Sequence, residues 1–484
     1  MNTNSGSKSV FLSMDGVESC QNVVRSICEA TKHPANPLLP LGRVDEWDAL
    51  QARPWESRTV LYDEQDKLFK CWYCGSDLSM ERWWASGYAV SEDGVHWVKP
   101  RVGRIEYNGS KDNNIVWAGW GPVIKDNDEP DPARRYKAIL KGPAPKEDYG
   151  IRLAYSPDGV DWTECEPFQL PEWKGRFPDI VVFRKDDQEP DPSRRYRIVW
   201  QAVGKADKPG PEMVRTKCIA FSADGENFAA SKDNPFLHPN DGPEQENHFL
   251  MLAPWEGQWV LPYECGWYCP NGQGVYGQYL ADIRLAVSDD GEHFRRVNPQ
   301  QKLIPRGRHG QWDDGFLVIS DKPVVKDDTI YLYYCGQGED WTSWPDKVPT
   351  YRHASTGSVR LSRMGLATLR LDGWTCLETA DGEIPGSATT TAIEATERAA
   401  ELQVNVSRAQ PLRSAMRVEV LDAATNAVLE GFARDDCRPV EVDGIRRPVV
   451  WKDRSLADVQ AGSIKLRFCL YGAVRLHAYG FANS

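Results

Sequence analysis

Hydrophobic and polar positions alternate along this chain in short runs that return with a period of about 65 residues. Each period contains the motif Ser-x-Asp-Gly-x-x-Trp/Phe, in copies that start at Ser91, Ser156, Ser222 and Ser288, and these starts are 65, 66 and 66 residues apart. An alternating run precedes and follows each copy. The Asp-Gly pair therefore predicts a hairpin turn in which glycine takes a positive φ.

A second hairpin lies upstream in each period, as in TVLYDEQDKLFKCWYCG at 59–75. Four strands in about 65 residues are typical of one blade of a β-propeller. A fifth, divergent unit contains KPVVKDDTIYLYYCG at 322–336 and the turn LDGW from Leu371. The sequence therefore predicts five blades.

The segment before the first blade predicts how the ring closes. KHPANPLLP at 32–40 resembles SKDNPFLHP at 231–239, which leads out of the third turn motif. The preceding run QNVVRSICEA, at 21–30, is therefore expected to form the outermost strand of the fifth blade and so to remove a free sheet edge. A short helix over 16–31 is the alternative.

From Thr375 onward the period changes to short alternating strands separated by polar turns, a pattern typical of a β-sandwich. We therefore expect an all-β protein with two domains. Residues 1–374 form a five-bladed β-propeller, and residues 375–484 form the C-terminal β-sandwich.

Charge and hydropathy exclude several classes of partner. The 58 basic and 70 acidic side chains give a net charge of −12, which disfavours nucleic acid and anionic membrane surfaces. The apolar runs fall far short of the roughly 20 residues that span a bilayer. The first residues lack the pattern of a secretory signal, so we expect a cytoplasmic protein.

The cysteines and aromatic residues refine this picture. The 12 cysteines are scattered and are expected to be buried thiols. The pair Cys71 and Cys74 has no partner motif, so no metal and no cofactor are predicted. The 19 Trp, 18 Tyr and 14 Phe residues favour stacking on sugars, although a large all-β core uses the same residues as filler.

A five-bladed propeller followed by a β-sandwich resembles the glycoside hydrolase superfamily that includes families 32, 43 and 68. The resemblance covers nearly the whole chain, and the C-terminal domain is similar to that of family 32. It is carried by GLATLRLDGW at 365–374, VEVLDA at 418–423, PVVWK at 448–452 and KLRFCLYGAVRLHAYGF at 465–481. The Glu-Cys dipeptide at Glu264 lies in blade four, whereas the family has it in blade three.

Glycosidic bond cleavage uses two carboxyl groups on opposite sides of one sugar. The starts of first strands and the ends of second strands share one face of a propeller, and counting seven residues back from the first hairpin gives Glu56, Asp179 and Asn247. The resemblance implies that Glu56 is the nucleophile or base and Asp179 the acid. Further candidate catalytic carboxylates on this face are Glu246, Glu264 and Asp313. The expected substrate-binding residues are Trp55, Trp120, Asn247, His248, Trp267, Trp312, Asp321 and Trp341.

The sequence thus predicts a glycosidase that acts on small oligosaccharides. A glycoside phosphorylase is an alternative, with a phosphate pocket built from Lys141, Lys205, Arg308 and His309. A non-catalytic sugar-binding propeller is the other alternative. The aspartates of the turn motif lie on the opposite face and are expected to be structural. The sequence does not fix the oligomeric state.

Overall fold

The computed structural model describes residues 8–49, 51–53, 59–77, 85–141, 151–167, 179–209, 212–268, 279–338, 362–452 and 454–482. In these ranges the chain is all-β, as predicted, and none of its helices is long and apolar enough to cross a membrane. It divides into two compact units, Glu29–Thr368 and Met1–Cys28 with Leu369–Ser484. The described helices are short 3-10 turns: Pro132–Arg134, Pro192–Arg194, Pro239–Asp241, Ala395–Glu397 and Leu456–Asp458.

The unit Glu29–Thr368 repeats one antiparallel array of four strands, and the described residues form five such arrays. The first strand of array 5 is in two pieces, and Gln51–Arg53 pairs with the end of the second strand of array 1. The strands are Val60–Asp63, Leu68–Ser76, Ala85–Ser91 and Ile115–Trp117 in array 1; Val123–Lys125, Tyr136–Lys141, Ile151–Ser156 and Thr163–Pro167 in array 2; Ile180–Lys185, Tyr196–Lys205, Met213–Ser222 and Ala229–Ala230 in array 3; Ala253–Trp255, Gln258–Tyr268, Tyr279–Ser288 and Arg295–Arg296 in array 4; and Phe316–Ile319 with Val324–Lys326, Thr329–Gln337, Arg363–Arg370 and Thr31–Lys32 in array 5.

The outermost strand of array 5 comes from the N-terminal part of the chain, but from a different segment than the sequence predicted. Thr31–Lys32 pairs with Arg363–Arg370, whereas Val23–Ile27 pairs with Thr375–Thr379 in the other unit. The helix considered over 16–31 is not formed, because Val17–Gln21 and Val23–Ile27 are strands. An alternating pattern of apolar and polar residues specifies which face of a strand is buried, but it does not specify which strand is its neighbour in the sheet.

The four turn motifs have the predicted hairpin geometry. Their glycines have positive φ, from 72° at Gly291 to 83° at Gly159. In the first copy, an Asp93 side-chain oxygen accepts hydrogen bonds from the backbone N–H groups of Val95 and His96, both at 2.8 Å. The aspartates of the other three copies accept the equivalent pair of bonds. The prediction that these aspartates are structural is confirmed.

Buried ion pairs connect neighbouring arrays. Asp63 of array 1 accepts from Lys70 of its own array at 2.8 Å and from Lys125 of array 2 at 2.6 Å, and the Tyr136 hydroxyl also donates to it. Burial opposes ionisation of Asp63, but Lys125, Lys70 and Tyr136 together hold its pKa well below the usual range. The same set recurs one array later, where Asp126 accepts from Lys137, Lys185 and Tyr196.

The unit Met1–Cys28 with Leu369–Ser484 contains two antiparallel sheets around one apolar core, which includes Leu402, Val418 and Phe468. The sequence assigned residues 1–28 to the first domain, whereas their strands join both of these sheets. One sheet has the order Val23–Ile27, Thr375–Thr379, Arg475–Ala482, Glu401–Ser407 and Gly444–Val449, with Lys8–Val10 also on Arg475–Ala482. The other has the order Val17–Gln21, Gly386–Thr390, Ser463–Tyr471 and Ile393–Glu394, with Ala415–Asp422 also on Ser463–Tyr471.

Candidate functional site

The predicted register holds at the ends of three neighbouring arrays. In array 4 the bridge Glu246–Gly266 lays the start of the first strand beside the end of the second. In array 3 the Gln201 N–H donates to the Asp179 carbonyl at 2.9 Å, and in array 2 Trp120 bridges Lys141. Starts of first strands and ends of second strands therefore lie together, which is the arrangement on which the site prediction depends.

Glu264 is the most deeply buried carboxyl group of this set. One of its oxygens accepts a hydrogen bond from the Tyr279 hydroxyl and lies 2.9 Å from His248 Nδ1. The other oxygen, Oε2, has no hydrogen-bond partner within the described ranges. Burial raises the pKa of Glu264 to about 7, although the Tyr279 hydrogen bond and the charges of Lys217 and Arg215 oppose the shift. At neutral pH Glu264 therefore exists partly as the protonated acid.

His248 beside it is held neutral. Burial lowers the pKa of His248 well below its usual value, and the charge of Arg215 adds to this shift. The carboxylates of Glu246 and Asp179 act in the opposite direction on the same ring. Asp179 of array 3 and the Glu264–His248 pair of array 4 are therefore neighbours in one electrostatic environment.

Asn247 and Lys217 are buried close to this pair. The Asn247 side chain is fully buried, and neither its amide oxygen nor its amide nitrogen has a hydrogen-bond partner in the described part of the chain. Its backbone carbonyl accepts from Lys217 Nζ at 2.7 Å, and burial lowers the pKa of Lys217 to about 7. Buried polar groups are nearly always hydrogen-bonded, so the Asn247 amide is a candidate for hydrogen bonds with water or a polar ligand.

Glu246 has a different environment. It accepts hydrogen bonds from the Arg215 backbone N–H at 2.7 Å and from the Arg215 guanidinium at 3.1 Å. The Glu246 carboxylate therefore forms an ion pair with Arg215, which lies in the third strand of array 3. These contacts anchor the Glu246 side chain, and its catalytic role stays a prediction from the sequence.

Asp179 lies one residue before the first strand of array 3. It is more exposed than Glu264, with 36% of its side chain accessible. It accepts from Lys141 Nζ at 2.6 Å and from the Gln201 amide at 3.0 Å. The Lys141 ammonium also lies 5.4 Å from the centre of the Trp120 ring. A carboxylate, an ammonium and an indole ring therefore meet at the ends of arrays 2 and 3.

Asp313 and Trp312 belong to a loop motif that occurs twice. Asp313 accepts from Lys32 at 2.5 Å and from the Tyr334 hydroxyl at 3.0 Å, and Trp312 stacks on Tyr334 with ring centres 5.8 Å apart. The second copy comprises Trp47, Asp48, Tyr73 and Lys99, with the same three kinds of contact. Because the set is duplicated, these contacts indicate that both aspartates anchor their loops, and the catalytic role of Asp313 stays a prediction from the sequence.

Asp321 does not lie with the predicted site residues. It follows the strand Phe316–Ile319 and lies six positions after Gly315, whose N–H bonds to the Gln337 carbonyl at the strand start. At about 3.3 Å per residue, this places Asp321 roughly 20 Å further along the chain. It accepts from the Thr59 hydroxyl at 3.0 Å, and burial raises its pKa to about 6. Counting seven residues back from the hairpin does not reach the strand start in array 5, because the first strand of this array is interrupted.

The remaining predicted residues divide into two groups. Trp267 is half-buried, and the Arg306 guanidinium lies 5.2 Å from its ring centre. Trp55, Glu56 and Trp341 lie outside the described residues.

Several residues of this site were not foreseen from the sequence, among them Lys217 and Tyr279. Lys217 directly precedes the apolar run CIAF at 218–221, and a cation next to such a run is a signal that could have been noticed. Tyr279 carries no comparable signal, because a tyrosine in a strand is ordinary core.

No protein-family model and no curated protein matches the sequence. Among solved structures, a protein of the GH130 family of mannoside phosphorylases, which contains glycoside hydrolases that target β-1,2 mannosidic linkages in Candida mannan, is 18% identical over 71% of this chain and 94% of its own, with a TM-score of 0.43. A putative glycosidase from Bacteroides thetaiotaomicron is 16% identical over 70% of this chain and 95% of its own, with a TM-score of 0.46. A fructofuranosidase variant from Schwanniomyces occidentalis, complexed with fructosylnystose, is 12% identical over 92% of this chain and 100% of its own, with a TM-score of 0.39. At these TM-scores the likeness does not bear on the chemistry of this chain.

Proposed function

We propose that the five arrays of the unit Glu29–Thr368 are the blades of a β-propeller and that this chain cleaves a glycosidic bond in a small oligosaccharide. The observation that carries the proposal is Glu264, a buried carboxyl group whose pKa is raised to about 7, in the same cluster as the ion-paired carboxylate Asp179. Glycosidases use one carboxyl group as a proton donor and a second as a base or nucleophile. The two environments divide these roles between two residues.

In this proposal the Glu264 acid donates its proton from Oε2 to the leaving oxygen. Tyr279 and His248 hold the other oxygen and so fix the orientation of the carboxyl group. Asp179 acts on the opposite side of the sugar in one of two ways. As a base it accepts the proton of the attacking water; as a nucleophile it forms a glycosyl ester, and the water that cleaves this ester gives its proton to the Glu264 carboxylate. This reverses the role that the family resemblance implied for Asp179. Glu56 remains the sequence-based candidate for a further carboxylate.

Two neighbours of these carboxyl groups suit a sugar. The Asn247 amide can exchange hydrogen bonds with sugar hydroxyls, which both donate and accept. The Trp120 ring, next to Lys141, offers an apolar face on which a sugar ring can stack. The substrate is therefore proposed to lie between the ends of arrays 2, 3 and 4.

The ion pairs of Lys141 and Arg215 favour hydrolysis over phosphorolysis. Lys141 lies 2.6 Å from Asp179, and Arg215 lies 3.1 Å from Glu246. Both positive charges are thus already next to carboxylates, which lowers their attraction for phosphate. A purely sugar-binding protein has no need of a carboxyl group that titrates near neutral pH.

The test is an NMR time course of the full chain with fructo-, arabino-, xylo- and galacto-oligosaccharides, with and without phosphate. The wild type is expected to convert one sugar pool with a new anomeric signal that does not require phosphate. Asp179→Asn and Glu264→Gln are each expected to lower the rate at least about 100-fold, while Glu92→Gln, in an exposed turn, leaves it unchanged.

Three outcomes would contradict the proposal. A rate that depends on phosphate would indicate a phosphorylase. Selective line broadening without product would indicate a sugar-binding protein. Near-wild-type rates in both carboxyl variants, with unchanged circular dichroism, would place the chemistry elsewhere.

A further inference from the structure

Three metal-ligating side chains converge in the unit Met1–Cys28 with Leu369–Ser484. Ligand atoms of Cys28, Cys376 and His477 all lie within 4.8 Å of one another. All three residues are buried, with relative exposures of 6%, 0% and 3%. None of them belongs to the candidate site described above.

The sheet itself brings these side chains together. Cys28 directly follows Val23–Ile27, Cys376 lies in Thr375–Thr379, and His477 lies in Arg475–Ala482, and these three strands are consecutive neighbours. The pairing Leu377–Leu476 sets Cys376 opposite His477, and the pairing of Cys376 with Ser26 sets Cys28 diagonally across. Directly paired residues share a face and alternate residues return to it, so all three side chains point to the same side of the sheet.

The distances fit a bound soft metal ion. Zn–S bonds of about 2.3 Å and Zn–N bonds of about 2.0 to 2.1 Å, at angles of about 110° to 120°, separate sulfur from nitrogen by about 3.6 to 3.8 Å. Cys28 Sγ lies 3.6 Å from His477 Nδ1. The other ring nitrogen, Nε2, lies 2.8 Å from the Ser407 hydroxyl. An outer partner of this kind fixes the ring orientation of a metal-binding histidine.

We propose that Cys28, Cys376 and His477 bind one soft d10 ion, Zn²⁺ or Cu⁺, through two thiolates and the Nδ1 atom of the imidazole. Binding releases the two thiol protons and leaves the ion bonded to two sulfur atoms and one nitrogen atom. With Zn²⁺ the charges of ion and thiolates cancel, which suits a buried place. Thiolate ligands favour these ions over hard cations such as Mg²⁺.

The proposed ion would cross-link distant parts of the sequence. Cys28 and Cys376 are 376 − 28 = 348 residues apart, and His477 follows a further 101 residues later. The ion therefore ties the strand Val23–Ile27 to two strands of the C-terminal part of the same unit. This is a structural role, separate from the proposed glycosidase activity.

The experiment is elemental analysis of the full chain, purified without chelator and, in a second arm, stripped and reloaded anaerobically with Zn²⁺ or Cu⁺. The wild type is expected to hold about one ion per chain in one arm, and Co²⁺ added to the stripped protein should give a thiolate-to-metal charge-transfer band. Cys376→Ser and His477→Gln should each lower the affinity at least about tenfold. Cys469→Ser removes another buried thiol of the same unit and serves as the matched control.

Two measurements keep the proposal testable if a variant does not fold. The melting temperature of the wild type should rise on reloading and stop rising at one equivalent of metal. A reloaded wild type with less than about one tenth of an ion per chain would overturn the proposal. A Cys469→Ser variant that loses as much metal as Cys376→Ser would overturn it as well, and glycosidase assays bear on neither result.

Discussion

Glu264→Gln is expected to make the protein more stable at high pH and to change its stability little at low pH. Glutamine keeps the shape and neutrality of the protonated acid, so its side-chain oxygen can still accept from Tyr279. The Glu264 pKa rises from its ordinary 4.5 to about 7 in the folded protein. Its protonated form therefore favours the folded state fully below pH 4.5, and this contribution is lost as the pH rises through 7.

The size of the effect follows from the shift. A difference of about 2.5 pKa units corresponds to about 3 kcal/mol at 1.36 kcal/mol per unit. The free energy of unfolding of the variant, minus that of the wild type, should rise from below about 1 kcal/mol at pH 5 to about 2 at pH 6 and about 3 at pH 8. Other titrating groups are common to both proteins and cancel in this difference.

The assay is urea unfolding followed by tryptophan fluorescence between pH 5 and 8.5. Of the 19 tryptophans, 17 lie in residues 29–368, so the signal reports mainly on the unit that contains Glu264. Asp321→Asn is the matched control, because burial raises the pKa of Asp321 from 3.8 to about 6. Its gain of about 3 kcal/mol should be complete near pH 7, about one unit before that of Glu264→Gln. A difference for Glu264→Gln that does not change with pH, or a less stable variant at pH 8, would refute the assignment.

Three further predictions concern activity and turn geometry. The rate of glycoside cleavage should fall as the pH rises above about 7, because Glu264 then loses the proton it donates; a pH–rate profile flat to pH 9 would contradict this. Trp120→Ala should raise KM about tenfold with kcat little changed, while Trp117→Ala should leave both unchanged, as steady-state kinetics would show. Gly159→Ala should lower the melting temperature more than Gly103→Ala, because both glycines have positive φ but only at Gly159 would the new Cβ clash with the Trp72 ring; equal shifts would contradict the clash.

The repeat was legible in the sequence because turn chemistry is local. Asp93 and Gly94 form their turn with groups a few residues away, so the same letters give the same turn four times. The contacts of Asp63 with Lys125 and Tyr136 of the next array were not foreseen. These partners lie more than 60 residues away in the sequence, and a lysine in a strand does not indicate which carboxylate it will pair with.

Part of the candidate site was predicted because strand register, like turn geometry, is a local property of the sequence. Asp179, Asn247 and Glu264 follow from a regular strand register, and the structure places them at neighbouring array ends. Asp321 fell elsewhere, because the strand is interrupted where the count assumed regular structure. The neutrality of Glu264 depends on the burial created by side chains from other strands, such as Tyr279, which no local pattern encodes.

The pairing of Val23–Ile27 with Thr375–Thr379 has a consequence for the order of synthesis. During synthesis the strand Val23–Ile27 leaves the ribosome before its partner strand, which begins 375 − 27 = 348 residues later. At 5 to 20 residues per second this interval is about 20 to 70 s. Residues 29–368 are complete before that time, so they can fold while the N-terminal strands are still unpaired. The strand Val17–Gln21 is largely polar, because it contains Glu18 and Gln21. While this strand is unpaired, its polar side chains lower its tendency to pair with another chain.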